Sequence, residues 1–227
     1  NELYTNILIF SFMKIVFIET ENLNLCVPSK DNLSQWSEWI NSSNVRETVP
    51  STLFPKTPEM QWSWIQNELN SKSRILLEIC DKTDNTFLGV VSLSTIDYEK
   101  RSAQISTISP LKKNQKNRYC IYESRRAILK YAFHELSINK VYAGTLYPEN
   151  KSYMIKNMCL GFEIEGIDHD CEWRNNEPRM GLKYFITKSI FKKKKIIEST
   201  IGNLLSKKNL ILNKKRLSKI ISYLHVK

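Results

Sequence analysis

The sequence contains no long apolar run. No stretch of about 18 consecutive apolar residues occurs in the 227-residue chain, so nothing in it predicts a membrane-spanning segment. The apolar beginning is interrupted by Lys14 and lacks a small-residue cleavage site, which argues against a signal peptide. Met13 fits a natural start, and we therefore expect residues 1–12 to be an extension without a structural role.

Paired cysteines are also missing. The five cysteines are scattered, odd in number and never arranged as C-x-x-C. This pattern argues against a zinc site and favours a reducing compartment, so we expect a cytoplasmic protein without a resident metal. The chain also lacks a Ser–His–Asp order and a P-loop, which removes the usual signatures of serine hydrolases and of nucleoside triphosphatases.

Acidic residues are scarce at one end only. The chain has 34 Lys or Arg against 23 Asp or Glu, a net charge of +11. Residues 187–227 hold twelve of the basic residues and a single acid, Glu198, so the whole excess lies in this segment. The remainder is neutral, and nucleic acid is therefore not an expected partner of the main body.

The basic segment has apolar residues at helical intervals, such as Leu217 and Ile221, with lysines between them. This pattern is typical of amphipathic helices that lie on an anionic membrane or dock on an acidic partner or RNA. It is equally typical of a tail that packs back onto the body. Gly202, Asn209 and Asn213 are expected to weaken a continuous helix here.

Strand and helix signals alternate before this segment. Their order is a strand, two helices, three antiparallel strands, a helix, a strand, a helix and two strands. Thr57 and Pro58 mark one helix start, and Asn150 opens a short helix after a strand. The order predicts one mixed α/β (α+β) domain over residues 13–187, with helices on the faces of a sheet, and a basic helical tail over residues 188–227.

Five segments resemble those of one protein family, both in sequence and in their order along the chain. They are "WSEWINSSNVRETV", "IDYEKRSAQIS", "RRAILKYAFHELSINKVYA", "PENKSYMIKNMCLGFEIEG" and "PRMGLKYF". Together they resemble the GNAT acetyltransferases, in particular the branch of ribosomal-protein N-terminal acetyltransferases and acetyltransferases of nucleotide-linked amino sugars.

The resemblance implies a mostly antiparallel sheet that splays between two parallel strands, here "AQISTIS" and "KVYAGTLY". Backbone groups of Ser106, Thr107 and Ile108 would bind the pantetheine arm of acetyl-CoA, the implied co-substrate. Its pyrophosphate would lie at the start of the next helix, where free N–H groups and the helix dipole favour anions.

The phosphate loop departs from the family pattern. The residues that the resemblance assigns to cofactor binding there are Lys116, Asn117, Arg118, Tyr119, Cys120 and Ile121. Tyr119 and Ile121 stand where the family has small residues that let a phosphate approach the backbone. We expect these two side chains to obstruct the phosphate, unless basic side chains of the loop replace the backbone contacts.

Four residues carry the implied chemistry. Gln104 stands where relatives have Glu and cannot be a base, although it can orient a water molecule. Asn150 is expected to cap a helix, either as its only role or while its amide contacts the cofactor or substrate. Asn157 stands where many relatives place a Tyr near the departing sulfur, and Tyr153, one turn earlier, is its candidate replacement or a packing residue.

The sequence therefore predicts an N-acetyltransferase that moves an acetyl group from acetyl-CoA to a primary amine. The expected acceptor is an amino-sugar nucleotide or another small molecule, and the expected assembly is a monomer or homodimer. Two alternatives stay open, a protein N-terminal acetyltransferase and a GNAT-shaped binding module that is not catalytic and is localised by its tail. The missing glycines, Gln104 and Asn157 favour the binding module.

Overall fold

The computed structural model describes residues 14–48, 54–109, 119–174 and 176–225. The strands are β1 (Val16–Glu19), β2 (Leu23–Cys26), β3 (Ile75–Asp81), β4 (Phe87–Asp97), β5 (Ser102–Ile108), β6 (Lys140–Tyr147), β7 (Glu163–Arg174) and β8 (Glu177–Thr187). The helices are α1 (Leu33–Asn41), α2 (Ser43–Thr48), α3 (Pro58–Asn70), α4 (Cys120–His134), α5 (Lys151–Cys159), α6 (Lys188–Lys193), α7 (Ile201–Leu204) and α8 (Lys207–His225).

The strands form one eight-stranded sheet in the order β1-β2-β3-β4-β5-β6-β8-β7. Within the described residues, β5 and β6 run parallel, and every other neighbouring pair is antiparallel. Helices lie against both faces, so the predicted mixed, mostly antiparallel sheet with flanking helices is confirmed.

The first strand differs from the prediction. The sequence reads as one strand through this region, whereas β1 and β2 pair as a hairpin around residues 20–22. The hydroxyl of Thr20 accepts the N–H of Leu23 at 3.0 Å, and the backbone N–H of Thr20 donates to the Leu23 carbonyl at 2.9 Å. These local bonds stabilise a turn where the residue pattern alone reads as continuous.

Side chains alternate between the two faces of the sheet and build two apolar clusters. The larger cluster lies under α4 and α5 and includes Ile128 and Phe162. The smaller cluster lies under α1 and α3 and includes Trp36, Ile65 and Phe87. The two faces of the sheet are therefore covered by different helices.

The basic tail packs onto the larger cluster. Phe191 of α6, Leu204 of α7 and Leu217 and Ile221 of α8 are buried in it, and α8 lies against α5. The apolar stripe that would face a membrane is thus largely used in folding. Over the described ranges, no helix combines the length and apolar character needed to cross a membrane.

Asn209 and Asn213 lie inside α8, so the weakening expected from them does not end this helix. The Asn209 amide donates to the carbonyls of Asn203 and Leu204, at 3.1 and 3.2 Å. These bonds contact two carbonyl groups at the end of α7, of which the Asn203 carbonyl also accepts the N–H of Ser206 at 3.3 Å. The asparagine therefore joins the two helices, and the tail is interrupted before α8 instead of within it.

We predict that Leu217→Ala lowers the free energy of unfolding by about 2–5 kcal/mol, because it leaves a cavity in the core. The matched control is Leu212→Ala on the same helix, since Leu212 is 61% exposed whereas Leu217 is 0% exposed. The control should change stability by less than about 0.5 kcal/mol. Urea unfolding measures both, and equally small losses would show that the tail does not contribute to the core.

Candidate active site

The parallel strands β5 and β6 part after three residue pairs. The pairs are Ser102 with Lys140, Ala103 with Val141 and Gln104 with Tyr142. Both strands are described in full, and neither makes a further pair with the other, although β5 stays paired with β4 and β6 with β8. The sheet therefore opens into a fork whose inner backbone edges are available to an extended ligand.

Contacts with β4 hold the end of β5 away from β6. A Cβ atom on Gly89 would lie 2.4 Å from the carbonyl oxygen of Ile108, so the two backbones approach more closely than any other residue type allows. The hydroxyl of Ser109 donates to the carbonyl of Leu88 at 2.7 Å. These contacts favour the open arrangement of the fork.

The predicted residues of β5 meet at this fork. Gln104 forms the last parallel pair and therefore marks its base. Ser106 faces the α1 and α3 side, where its Oγ lies 2.8 Å from Oγ of Ser92. Thr107 faces the α4 side, where its Oγ1 accepts a hydrogen bond from Arg125 at 3.3 Å. Alternation along one strand thus presents groups to both faces.

A cavity of 830 Å³ occupies the fork, a size typical of small-molecule sites. From the α1 and α3 side it is lined by Trp36, Gln61 and Trp64, and from the other side by Arg125 and Tyr153. Because helices on opposite faces of the sheet line the same cavity, the fork is a passage between the faces. Two reactants can therefore approach one point from opposite sides.

The α1 and α3 wall is aromatic and basic. Lys56 Nζ and Arg74 Cζ each lie 5.7 Å from the centroid of the Trp64 ring, within cation–π range. Gln61 is 0% exposed, and neither its Nε2 nor its Oε1 has a hydrogen-bond partner within the described ranges. A buried amide without partners is costly, which makes Gln61 a candidate ligand contact.

Strand β7 adds two carboxylates to the cavity, Asp168 and Glu172. The register shifts between them at a bulge, where Asp170 has a φ of 52°. Asp168 forms an ion pair with Lys183 at 3.1 Å. Each of these two acids is a candidate to receive a proton from an amine.

The predicted phosphate segment is only partly described. Lys116, Asn117 and Arg118 lie outside the described residues, and α4 begins at Cys120. The N–H groups of Tyr122 and Glu123 donate to the carbonyl of Tyr119, at 3.0 and 2.9 Å. The start of a helix offers N–H groups and a dipole that are suited to an anion.

The side chains at this helix start pack toward the core. Tyr119 and Ile121 lie against the larger cluster, and Ile121 also lines the cavity. Cys120 is buried, which raises the pKa of its thiol. Neither Tyr119 nor Cys120 lines the cavity, so of the three only Ile121 is brought to the fork.

Glu123 secures the start of α4 to the β1–β2 turn. Its carboxylate accepts hydrogen bonds from the Thr20 hydroxyl and from the N–H of Asn22, at 2.7 and 2.9 Å. The Asn22 side-chain amide adds a third bond at 3.1 Å. The role of Glu123 is therefore to position the helix that faces the fork.

Asn150 precedes α5 and lines the cavity, but its side chain makes no capping hydrogen bond. Only its backbone joins the helix start, accepting the N–H of Met154 at 3.0 Å. The geometry therefore gives no support to a purely capping role for the side chain. Its amide is available to a ligand at the tip of β6.

Tyr153 reaches the cavity one turn further along α5, and Arg125 lies behind it. Nη1 of Arg125 donates to the Tyr153 hydroxyl at 2.7 Å. Asn157 is different, because it is 0% exposed and does not line the cavity. Its amide donates back to the carbonyl of Tyr153 at 2.9 Å, within its own helix.

Sequence reasoning missed Gln61, Lys56, Arg74 and Arg125. One signal was present for Arg125, because this cation stands on the otherwise apolar stripe of α4, three residues before Ile128. The other three come from α3 and the segments beside it. Nothing in their local pattern indicates that they line the same cavity as β5.

Comparisons with known proteins agree with this geometry. The acetyltransferase (GNAT) domain family matches residues 22–155. The spermidine N-acetyltransferase from Vibrio cholerae, solved in complex with CoA and spermine, superposes with a TM-score of 0.66 at 18% identity, covering 76% of this chain and 99% of that one. A GNAT-family acetyltransferase from Bacillus anthracis gives a TM-score of 0.63 at 21% identity, with coverages of 76% and 99%.

A third solved structure is the microcin C7 self-immunity acetyltransferase MccE in complex with acetyl-CoA and AMP. It has a TM-score of 0.61 at 17% identity and covers 74% of this chain and 93% of that one. No curated protein matches the sequence significantly. The family match spans more than half of the sequence, and the chain therefore belongs to the GNAT acetyltransferase family, as its sequence predicted, and by that membership is an acetyl-CoA-dependent acyltransferase.

Proposed function

We propose that the chain transfers the acetyl group of acetyl-CoA to the primary amine of a small molecule that also carries negative charge, such as an amino-sugar nucleotide. The observation that carries this proposal is the fork between β5 and β6, which stays open after Gln104 and leads from one face of the sheet to the other. The wall on the acceptor side then indicates the class of acceptor.

The open edges of the fork suit the pantetheine arm. Beyond Gln104, the backbone of β5 through Ile108 has no β6 partner, so the amide groups of the arm can bind there as a short extra strand. Backbone groups of Ser106, Thr107 and Ile108 would then lie beside the thioester carbonyl and polarise it. The pyrophosphate would lie near the start of α4, whose dipole favours anions.

The charge of the cavity favours an anionic acceptor over a polycation. Its described lining includes four cationic side chains, Lys56, Arg74, Arg125 and Lys183, and two carboxylates, Asp168 and Glu172. The Trp64 ring beside Lys56 and Arg74 suits a planar group next to phosphate. The MccE structure holds AMP, which is in keeping with a nucleotide on this fold.

The same site supplies proton acceptors and a donor. The amine must lose a proton as it attacks, and Asp168 or Glu172 can take it, with Gln104 orienting a water molecule between them. The departing sulfur needs a proton, and the Tyr153 hydroxyl lines the cavity from the α5 side. We propose that Tyr153 is the donor and that the Asn150 amide orients one of the reactants.

Binding and turnover of the wild-type chain test the proposal directly. Acetyl-CoA at a thousandfold excess over its Kd should stabilise the chain by about 4 kcal/mol, seen as a raised melting temperature. Turnover should appear on a panel of amines, with nucleotide-linked amino sugars preferred over spermine and over a peptide N-terminus. No shift in melting temperature would contradict the proposal, and a shift without turnover would favour a binding module.

A matched pair of glycine variants tests the position of the acceptor. Gly144 lines the cavity, and a Cβ atom there would lie 3.8 Å from the nearest atom, the carbonyl oxygen of Leu182. Gly166 on β7 also has room for a Cβ but does not line the cavity. We predict that Gly144→Val lowers turnover by about tenfold or more by narrowing the site, whereas Gly166→Val keeps it.

Both valine variants should keep the melting temperature of the wild type, because neither glycine needs an unusual φ and valine suits a strand. Equal activities of the two variants would place the acceptor elsewhere.

We predict that Tyr153→Phe lowers kcat by about 100-fold through loss of the proton donor, with little change in the melting-temperature shift caused by acetyl-CoA. Tyr122→Phe is the control, because the Tyr122 ring lies 6.3 Å from that of Tyr153 but does not line the cavity. Steady-state kinetics of both variants and the wild type measure kcat. Equal kcat values for Tyr153→Phe and the wild type would show that another group protonates the sulfur.

We propose in addition that α8 contacts an anionic membrane surface. Its outward side carries Lys214 and Lys215 together with Ile211 and Leu212, which are 47% and 61% exposed. Lysines beside exposed apolar side chains suit the interface of an anionic bilayer. The proposal concerns peripheral contact by this surface alone.

We predict that the chain sediments with phosphatidylcholine vesicles only when they also contain phosphatidylserine, and that added salt releases it. Lys214→Glu with Lys215→Glu should abolish sedimentation. Lys72→Glu with Lys130→Glu changes the net charge equally at exposed sites elsewhere on the body and should have little effect. Equal losses of sedimentation in both double variants would show that net charge alone causes vesicle binding. Binding to an acidic polypeptide but not to the vesicles would exclude membrane contact by α8.

A further inference from the structure

We infer that Arg125 is a positioning residue for acetyl transfer, which turns the Tyr153 hydroxyl proton toward the cavity and supplies a buried positive charge behind it. The inference rests on the proposed function of this site. It starts from the fact that Arg125 is 1% exposed yet forms no ion pair with any described carboxylate.

The surroundings of Arg125 are aromatic and neutral. Its guanidinium lies 5.6 Å from the centroid of the Tyr153 ring and 5.1 Å from that of Phe162. Burial raises the pKa of Tyr122 and of Tyr184, so neither phenol provides a compensating negative charge. Nε and Nη2 of Arg125 have no hydrogen-bond partner within the described ranges.

A buried cation without a counter-ion is costly for stability. An apolar side chain of similar length would fill the same space without that cost. The arginine therefore needs an explanation other than folding, and its contacts provide one. They lead to the wall of the cavity, because Arg125 bonds to Thr107 of β5 and to Tyr153 of α5.

The direction of the hydrogen bond orients Tyr153. A guanidinium can only donate, so the Tyr153 oxygen is the acceptor of the 2.7 Å bond. The phenol keeps one proton, which cannot point back to Arg125. Since Tyr153 lines the cavity, that proton is left to donate toward a group inside it.

The positive charge behind Tyr153 favours negative charge in front of it. In the transfer, the amine nitrogen forms a bond to the acetyl carbon, the carbon–sulfur bond breaks, and its electron pair stays on sulfur. Tyr153 donates its proton to that sulfur, and the proton lost by the amine balances the one that Tyr153 gives up. A fixed charge in a dry site stabilises such a change more strongly than one in water.

The experiment compares Arg125→Met with Arg125→Lys. Methionine keeps length and flexibility but removes the charge, so the melting temperature of Arg125→Met should equal or exceed that of the wild type. Its kcat should fall by about tenfold or more, while the KM for acetyl-CoA stays within about threefold. Arg125→Lys keeps a donor and should recover part of the loss in kcat.

A double-mutant cycle with Tyr153→Phe tests whether the two residues act together. If Arg125 acts through the Tyr153 hydroxyl, adding Arg125→Met to Tyr153→Phe should lower kcat by less than about threefold further. If the two losses in kcat multiply in the double variant, Arg125 acts independently of the Tyr153 hydroxyl, and the inference is overturned.

Two further outcomes would overturn it. An unchanged kcat in Arg125→Met would show that the charge serves no step, and a lowered melting temperature together with lowered kcat would show a structural role. A failure of the proposed function would be distinguishable from these outcomes, because acetyl-CoA binding and turnover of the wild-type chain test it.

Discussion

The site depends on a sheet that is closed on one side of Gln104 and open on the other. Three pairs join β5 to β6, and beyond them each strand is held by its other neighbour. Backbone groups left unpaired inside a protein are costly unless a ligand or water satisfies them. The fork is therefore both a local cost to folding and a shaped receptor, and the contact of Gly89 with the end of β5 helps to keep it open.

The fork also explains why residues from opposite faces of the sheet share one cavity. In a continuous sheet, Gln61 of α3 and Arg125 of α4 would be separated by a layer of backbone. Here both line the same space, and both are buried with polar atoms that have no partner within the described ranges. Buried polar groups that folding does not satisfy are typical of functional sites, where stability is traded for chemistry.

The tail shows how one pattern fits two structures. Lysines between apolar residues at helical intervals describe a helix on a membrane and equally a helix on a protein core. In this chain Leu217 and Ile221 are buried against the body while Ile211 and Leu212 remain exposed. The Asn209 bonds to the end of α7 show that residues with low helix propensity can join elements when tertiary structure gives them partners.

Most of the fold could be predicted from the sequence by itself. The apolar runs of β3 and β4, the alternation in β5, the cap at Thr57 and the long pattern of α4 are local signals, and their order predicted a mixed sheet of the GNAT type. The hairpin of β1 and β2 was missed, because the turn at Thr20 is stabilised by side-chain bonds that composition does not reveal.

Family resemblance placed five residues near the site, namely Gln104, Ser106, Thr107, Asn150 and Tyr153. Only the tertiary structure decided that Asn157 lies outside the cavity, and that Gln61, Lys56, Arg74 and Arg125 belong with β5. The reason is physical: periodicity reports which face of its own element a residue occupies, whereas a cavity is formed by distant elements whose contacts no local pattern encodes.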